Sequence, residues 1–267
     1  MDKAFVKGLR LLETLAASAA PRGVTELAIE LQMTKSNVHR LLSTLQSRGY
    51  VRQLGALGTY ELTPRLWEFG CRVMARFDLA RVGRQAMRVL AEQTLETVHL
   101  SILDGVDVVY LDKIESAHDV RTYTHVGGRA PAWCVATGKA MLAFAPADAL
   151  QQIDARLQPF TPASIATLER LKGELASVRR LGFAVNKGEW REGVFGLAAP
   201  VRNGSGAVVG AIGISGPGQR LPPRQMKKFS RSVMEAAEAI AEALGHRPSV
   251  DRPPLARALP ALSRATH

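Results

Sequence analysis

The chain has 267 residues, 46% of them hydrophobic and 22% charged, which is enough for one large or two smaller domains with a sizeable core. A net charge of +11 predicts an anionic partner, either nucleic acid or an anionic membrane surface, with simple solubility as the alternative interpretation. Two cysteines are too few for a disulfide framework and favour a reducing cytoplasm. The first residues do not have the pattern of a signal peptide, and no apolar run approaches the ~18 residues of a membrane span.

The first sixty residues have the pattern of three short helices and a hairpin. The stretch "APRG" ends a first helix, Thr25 is expected to cap a second, and Thr34 to cap a third. Gly49 stands where a helix C-terminal glycine belongs, and "YVRQL" and "TYEL" predict two strands joined by a glycine-containing loop. This order predicts a winged helix-turn-helix domain in residues 1–64.

The third helix separates apolar from polar residues. On a helical wheel the apolar positions share one face: Val38, Leu41, Leu42 and Leu45. From Met33 to Tyr60 there are four Lys or Arg residues and no Asp or Glu, and a carboxylate would be repelled by DNA phosphates. We therefore predict that this helix lies in a DNA major groove. The predicted DNA-binding residues are Thr34, Lys35, Ser36, Asn37, His39, Arg40, Ser43, Thr44 and Arg52.

The stretch "KSNVHRLLSTLQSRGYV" closely resembles the recognition helix and wing of the IclR family of bacterial transcription regulators. The resemblance continues, in the family's order and spacing, through "ETVHLSILDGVDVVYLDKIES", "VGGRAPAWCVATGKAMLAF", "VRRLGFAV" and "AAPVRNGSGAVVGAIGISGP". It covers roughly residues 4–245, and several long motifs in register are more specific than one short pattern. It implies a GAF-like effector-binding domain after the DNA-binding domain.

Residues 65–92 read as one long or broken helix. Between Arg65 and Arg88 the segment has six arginines but only Glu68 and Asp78 as acidic residues. We interpret it as a linker helix that also helps the protein to dimerise, and a solvated amphipathic helix is the alternative.

Residues 93–246 predict an α+β domain on a mainly antiparallel sheet. The predicted strands are "TVHLSIL", "DVVYLDKI", "VRTYTHV", "GLAAPVRN" and "AVVGAIGIS". The predicted helices are "ATGKAMLAF", "LERLKGELASVRRL" and "PRQMKKFSRSVMEAAEAIAEAL". Residues 247–267, rich in Pro and Arg without a period, are expected to be a disordered tail.

The family binds small carboxylates or aromatic acids in its C-terminal domain, and the resemblance carries that pocket onto this chain. The corresponding positions are Ala130, Ala136, Thr137, Asn186, Val194, Gly196, Gly213 and Ser215. The backbone N–H groups of Ala136 and Thr137, near a helix start, suit a carboxylate. Arg129 is a further candidate to pair the carboxylate, with a surface arginine as the alternative. Trp133 and Trp190 are candidates for flat pocket walls, with simple core packing as the alternative.

This chain departs from members that bind very small acids. In those members the positions of Asn186, Gly196 and Gly213 hold Asp, Cys and Ser, and the position of Ala130 holds a larger apolar residue. Smaller side chains at three of the four positions favour an aromatic or other bulky carboxylate as effector. The alternative is that the glycines serve backbone geometry.

Motifs of enzyme chemistry are missing from the sequence. There is no H-E-x-x-H, C-x-x-C or Walker pattern, and "GISG" misses the nucleophile elbow by one residue. Three histidines, His99, His118 and His125, lack metal-ligand spacing and are interpreted as structural or surface residues. We therefore expect no catalysis, no cofactor and no metal site.

These patterns together predict a cytoplasmic regulator, a repressor rather than an activator, that controls catabolic genes. We expect a near-palindromic operator, a homodimer or dimer of dimers, a small organic acid as effector and no membrane association. The alternatives are a nonspecific basic DNA-packaging protein and an enzyme that acts on a small carboxylic acid.

Overall fold

The structure is a computed structural model that describes residues 3–55, 58–74 and 78–246. The chain divides into two compact units, Met1–Phe77 and Asp78–His267. The boundary falls inside the segment 65–92 that the sequence predicts as a linker. The predicted tail, 247–267, lies outside the described residues.

The described residues of the first unit form three helices, a two-stranded hairpin and a fourth helix. In chain order these are α1 (Lys3–Ala17), α2 (Val24–Glu30), α3 (Lys35–Ser47), β1 (Val51–Leu54), β2 (Thr59–Leu62) and α4 (Arg65–Met74). The two strands pair antiparallel, so the predicted winged helix-turn-helix is confirmed.

Local signals explain where these helices begin and end. Thr34 caps α3 as predicted, because its Oγ1 accepts a hydrogen bond from the Asn37 backbone N–H at 3.3 Å. Gly49 follows α3 with a φ of +73°, a conformation that favours glycine. The prediction that Thr25 caps α2 is wrong: the helix begins at Val24, and Gly23 occupies the cap position without a side-chain acceptor.

The core of the first unit lies between the three helices and the hairpin. Leu11, Leu27, Val38 and Leu42 are fully buried there. Tyr60 of β2 joins this core and pairs through its backbone with Arg22, in the turn before α2, at 2.8 and 2.9 Å. The hairpin is therefore fastened to the helices that position α3.

The second unit is a layered α+β unit. Its elements are α5 (Asp78–Thr94), β3 (Thr97–Asp104), β4 (Asp107–Ile114), β5 (Arg129–Pro131), α6 (Ala136–Leu142), α7 (Ala147–Asp154), α8 (Leu168–Leu181), β6 (Ala184–Lys187), β7 (Val194–Arg202), β8 (Val208–Pro217) and α9 (Pro223–Ala243). The sequence did not predict α7, β5 or β6.

Within the described residues the six strands form one antiparallel sheet in the order β5-β4-β3-β8-β7-β6. Helices α5 and α9 pack on one face, where Gly83 and Ile240 lie against Leu100. Helix α6 packs on the opposite face, where Ala136 lies beside Gly196. The α5 half of the predicted linker is therefore a core element of the second unit, because its apolar face is buried on the sheet.

The predicted strand "VRTYTHV" is wrong. The backbone from Val120 to Val126 is irregular, and side chains bind two of its carbonyl groups: Arg220 donates to the Val120 carbonyl at 2.9 Å and Lys113 to the Thr124 carbonyl at 2.5 Å. The edge strand is instead the short β5, which pairs with β4. Side-chain donors from elsewhere in the fold thus override the local β-branched pattern.

Candidate DNA-binding helix and effector cavity

The outer face of α3 has the predicted character. Its exposed side chains are polar or cationic: Lys35, Ser36, His39, Arg40, Ser43 and Thr44. The Arg40 guanidinium donates to the Asn37 Oδ1 at 3.4 Å, which orients both side chains on this face. The Thr44 hydroxyl donates to the Arg40 carbonyl at 3.1 Å, so its hydrogen satisfies the helix backbone.

Thr34 and Arg52, also predicted to bind DNA, have partners within the protein as well. Thr34 caps α3, and the Arg52 Nε donates to the Glu61 Oε1 at 2.6 Å across the hairpin. Glu61 is the first residue beyond the acid-free stretch, so the sequence pattern did not reveal this pairing. Arg52 is 61% exposed, and such surface pairs contribute roughly 0–1 kcal/mol, so the pair is weak enough to exchange for a phosphate.

A cavity opens on the face of the second unit that carries α6. It brings together six of the predicted effector residues: Ala136, Thr137, Asn186, Val194, Gly196 and Ser215. The space open to the centre of a water molecule is about 60 Å³, room for roughly four to six waters at about 10–15 Å³ each. Six of the nine predicted effector residues therefore line one small cavity.

Three predicted effector residues lie outside the cavity lining. Arg129 is paired with Asp104 at 2.8 Å and Asp107 at 3.4 Å on the surface. Ala130 is buried in β5, and Gly213 lies within β8. Surface carboxylates already balance the Arg129 charge, which is the alternative that the sequence left open.

The glycines do not provide ligand space. A β-carbon at Gly213 would collide with the Leu197 carbonyl oxygen and lie 2.7 Å from the Ala198 Cβ. At Gly196 it would lie 2.9 Å from the Ile214 carbonyl oxygen. The argument for a bulky effector from lost side-chain volume is therefore wrong, because the neighbouring strands approach too closely for a side chain.

The inner end of the cavity is lined by uncharged hydrogen-bonding groups: the predicted Ser215, and His99 and Thr122, which were not predicted as effector residues. The His99 Nε2 lies 2.8 Å from the Ser215 Oγ, which lies 2.8 Å from the Thr122 Oγ1. Burial, with a smaller contribution from the Lys113 charge, lowers the pKa of His99 to about 4, so the imidazole is neutral at neutral pH. The His99 Nδ1 is buried without a hydrogen-bond partner in the described part of the chain.

Tyr110 completes this end of the cavity. Its ring centroid lies 5.0 Å from that of His99, and burial raises the pKa of its phenol to about 12. Both residues occur on neighbouring strands at positions whose side chains share one sheet face. Side chains alternate between the two faces of a strand, so the positions of these residues in "TVHLSIL" and "DVVYLDKI" could have predicted that both face the cavity.

The mouth of the cavity holds a cation and an aromatic ring. Trp190 and Arg191 both line the cavity, and the guanidinium lies 4.6 Å from the centroid of the indole. No described carboxylate forms an ion pair with Arg191. Trp133, the other candidate wall, lies outside this cavity and faces Phe160 at 6.3 Å between ring centroids. Arg191, unlike Arg129, therefore lines the cavity, where it is exposed to solvent.

The asparagine of the cavity is partly occupied by the protein itself. The Asn186 Oδ1 accepts from the Glu189 backbone N–H at 2.9 Å, and its Nδ2 donates to the Val194 carbonyl at 3.4 Å. Asn186 therefore shapes the loop after β6 as well as lining the cavity.

The described residues also bear on metal binding and on membrane insertion. Across residues 3–55, 58–74 and 78–246, no group of three or more His, Cys, Asp and Glu side chains is placed to hold a metal ion. No helix in the same residues is both long and apolar enough to cross a membrane.

Comparison with known proteins assigns both units to one family. Residues 71–242 match the bacterial transcriptional regulator IclR C-terminal family, and residues 4–55 match the IclR helix-turn-helix domain. The chain is 34% identical over 226 residues to the HTH-type transcriptional regulator KdgR of Escherichia coli (strain K12), which covers 84% of this chain and 86% of that protein. It is 30% identical over 247 residues to the transcriptional repressor IclR of the same strain, covering 91% of this chain and 90% of that protein.

A solved structure shares the fold. The crystal structure of an IclR homologue from Microbacterium hydrocarbonoxydans, in complex with 4-hydroxybenzoate, superposes with a TM-score of 0.79 at 23% identity. The match covers 91% of this chain and 99% of that chain. The fold and the two units define a DNA-binding transcription regulator that responds to a ligand. The chain belongs to the IclR family of bacterial transcriptional regulators.

Proposed function

We propose that this regulator is a repressor of catabolic genes in the cytoplasm. It binds a near-palindromic operator through α3 as a dimer or dimer of dimers, with residues 65–92 contributing to dimerisation. Relatives that are named as repressors and the carboxylate-free outer face of α3 support this proposal. The DNA contacts are the residues predicted from the sequence, with Arg52 exchanging its ion pair for a phosphate.

We propose further that the effector is a small organic acid, with a single aromatic ring as the preferred form. The observation that carries this proposal is Arg191, which lines the cavity mouth beside Trp190 without a carboxylate partner in the described residues. An arginine in this position favours a carboxylate ligand. Trp190, Tyr110 and Tyr123 provide flat walls for a ring. The aromatic preference thus rests on the cavity walls and no longer on the glycines.

The acid can regulate DNA binding only if it binds two conformations of the protein with different affinities. A ligand shifts an equilibrium only by its differential affinity for the two conformations. We propose that the acid binds and is released unchanged. Incubation of the pure protein with each acid, followed by quantitative recovery of that acid, tests this part, and turnover without DNA would support the enzyme alternative.

Isothermal titration with benzoate, 4-hydroxybenzoate and pyruvate tests the effector class. Arg191→Met should weaken binding of a ring acid by roughly 10- to 150-fold, since a hydrogen bond to a charged group contributes about 1.5–3 kcal/mol. Arg129→Met is the matched control: it removes the same charge from the same unit, outside the cavity, and should leave the affinity unchanged. Equal losses in both variants, or none in either, would refute the role of Arg191.

A further inference from the structure

The second unit contains a fully buried lysine. Lys139, in α6, has no exposed side-chain surface, and its Nζ lies 2.7 Å from both carboxylate oxygens of Glu189. Glu174, which is half exposed, is a more distant partner at 3.6 Å. A buried lysine carries a large desolvation cost, so the position of its partner must be well fixed for the pair to persist.

Glu189 belongs to the loop that forms the cavity mouth. This loop, which we call the Arg191 loop, comprises Gly188–Gly193 between β6 and β7 and carries Trp190 and Arg191. Its two end glycines have φ values of +82° and +72°, so the chain turns sharply at both ends. Of the residues between them, Trp190 and Arg191 line the cavity, and the Glu189 side chain points to Lys139 instead.

Several hydrogen bonds hold the start of the Arg191 loop. The Thr161 hydroxyl donates to the Gly188 carbonyl at 2.7 Å, and the Ser164 hydroxyl donates to the Glu189 carbonyl at 2.6 Å. The Asn186 Oδ1 accepts from the Glu189 backbone N–H at 2.9 Å. These contacts fix the backbone of residues 188 and 189, and the ion pair to Lys139 adds an anchor through the Glu189 side chain.

Helix α6 therefore reaches the effector cavity in two ways. Its first turn, with Ala136 and Thr137, lines the cavity directly. Its next residues include Lys139, whose ammonium forms the ion pair with Glu189 of the Arg191 loop. We propose that Lys139 and Glu189 are positioning residues: their ion pair holds the Arg191 loop in the conformation that presents Arg191 to the effector carboxylate. The consequence for the effector rests on the proposed function, and the consequence for the loop does not.

An alternative role for the pair is stability alone, and the two roles differ in a measurable way. Replacing both members of a buried pair with apolar residues is often neutral for stability, whereas removing one leaves a buried charge. Burial raises the pKa of Glu189, against the opposing effect of Lys139, so removal of Lys139 favours the protonated acid. A double apolar variant should thus recover stability but not the geometry that two oxygens on one ammonium impose.

The experiment combines thermal unfolding with amide hydrogen exchange, read on peptides that cover the Arg191 loop in the effector-free, full-length protein. The variants are Lys139→Met, Glu189→Gln and the double variant Lys139→Met with Glu189→Met. Lys172→Met, an exposed lysine on α8, is the matched control. We expect Lys139→Met to lower the melting temperature and the double variant to regain most of it. Loop exchange should rise at least tenfold in both and, to a smaller extent, in Glu189→Gln, which keeps the fold and one hydrogen bond.

Titration with 4-hydroxybenzoate and benzoate completes the test. Affinity should fall in the double variant at unchanged stability, and Arg191→Met should add little further loss in that background. Wild-type loop exchange in the double variant and in Glu189→Gln would overturn the proposal, whatever the ligand result. If exchange rises as expected but neither acid binds the wild-type protein, the role in holding the loop stands and the proposed effector class is wrong.

Discussion

Arg40 and Arg48 carry the same charge on or beside α3 but differ in position. Arg40 lies on the outer face and is oriented by Asn37, whereas Arg48 ends the helix. We predict that Arg40→Ala costs about 1–3 kcal/mol on the operator and much less on random DNA, because a base contact is lost only on the operator. Fluorescence anisotropy with both DNAs measures this.

Arg48→Ala is the control for the charge itself. This variant should weaken binding to the operator and to random DNA by similar amounts, both smaller than the loss that Arg40→Ala causes on the operator. The reason is that a change in net charge affects binding to any DNA sequence. If Arg40→Ala also weakened both DNAs equally, Arg40 would be a phosphate contact and would not read a base.

His99 makes stability depend on pH. Its pKa is about 6.5 when unfolded and about 4 in the folded protein, so the unfolded state binds more protons between these values. Its contribution is complete above pH 6.5 and is lost as the pH falls towards 4. At pH 5 we expect the wild type to have lost about 2 kcal/mol through this group relative to His99→Gln. Urea unfolding of both proteins at pH 7.5 and 5.0 provides the comparison, and parallel pH dependences would contradict the burial of a neutral imidazole.

Among the helices and strands, those whose ends are set by neighbouring residues in the sequence were predicted correctly. The α3 boundaries follow from Thr34 and Gly49, and two hairpins follow from alternating strands around a glycine turn. The predicted strand "VRTYTHV" failed because two of its carbonyl groups bind side chains outside the segment: Arg220, 100 residues from Val120, and Lys113, 11 residues from Thr124. Contacts of that kind leave no local pattern.

The candidate site divides in the same way. Residues carried over by the family resemblance, such as Asn186 and Ser215, line the cavity. Arg129 does not, because its partners on β3 and β4 are visible only once the sheet is assembled. Arg191 was missed because it lies in a short turn without hydrophobic periodicity. Only the fold shows that this turn lines the same cavity as Ala136 and Thr137 of α6.

A substitution at Gly213 tests the close approach of β7 and β8, with Gly173 in α8 as the contrast. Gly213→Ser should destabilise the protein by about 1–3 kcal/mol, since the new side chain meets the Leu197 carbonyl oxygen and Ala198. Gly173→Ala is the contrasting variant: it lies in α8 with open space around it and should stabilise the protein by up to about 1 kcal/mol. Thermal unfolding distinguishes them, and a neutral Gly213→Ser variant would show that the strands have room.

At the scale of the whole molecule, symmetry follows from the proposed dimer. One winged helix-turn-helix reads a short site, so two of them require two half-sites. We expect footprinting to show a near-palindrome with half-sites about one helical turn apart, or a multiple of it. Sedimentation should show a dimer or tetramer at the same concentration. Protection of a single half-site by a monomer would contradict this proposal.

Selectivity separates regulation from DNA packaging. A regulator should bind its operator ~10³-fold or more tightly than random DNA at physiological salt, and a packaging protein should show a small ratio. A site selected by the protein from a random-sequence pool supplies the operator for this comparison. A flat selection without enriched sequence would favour packaging.

In the proposed function, an acid held at Arg191 in the second unit changes DNA binding by α3 in the first. The most direct measurement is operator affinity of the full-length wild type, Arg191→Met and Arg129→Met proteins, each with and without saturating 4-hydroxybenzoate or benzoate. We expect the acid to change the operator affinity of the wild type and of Arg129→Met by 5- to 150-fold, a coupling of about 1–3 kcal/mol. At the same concentration, the acid should leave the operator affinity of Arg191→Met unchanged. An unchanged operator affinity of the wild type with every acid that binds it, or an equal response in Arg191→Met, would contradict the claim.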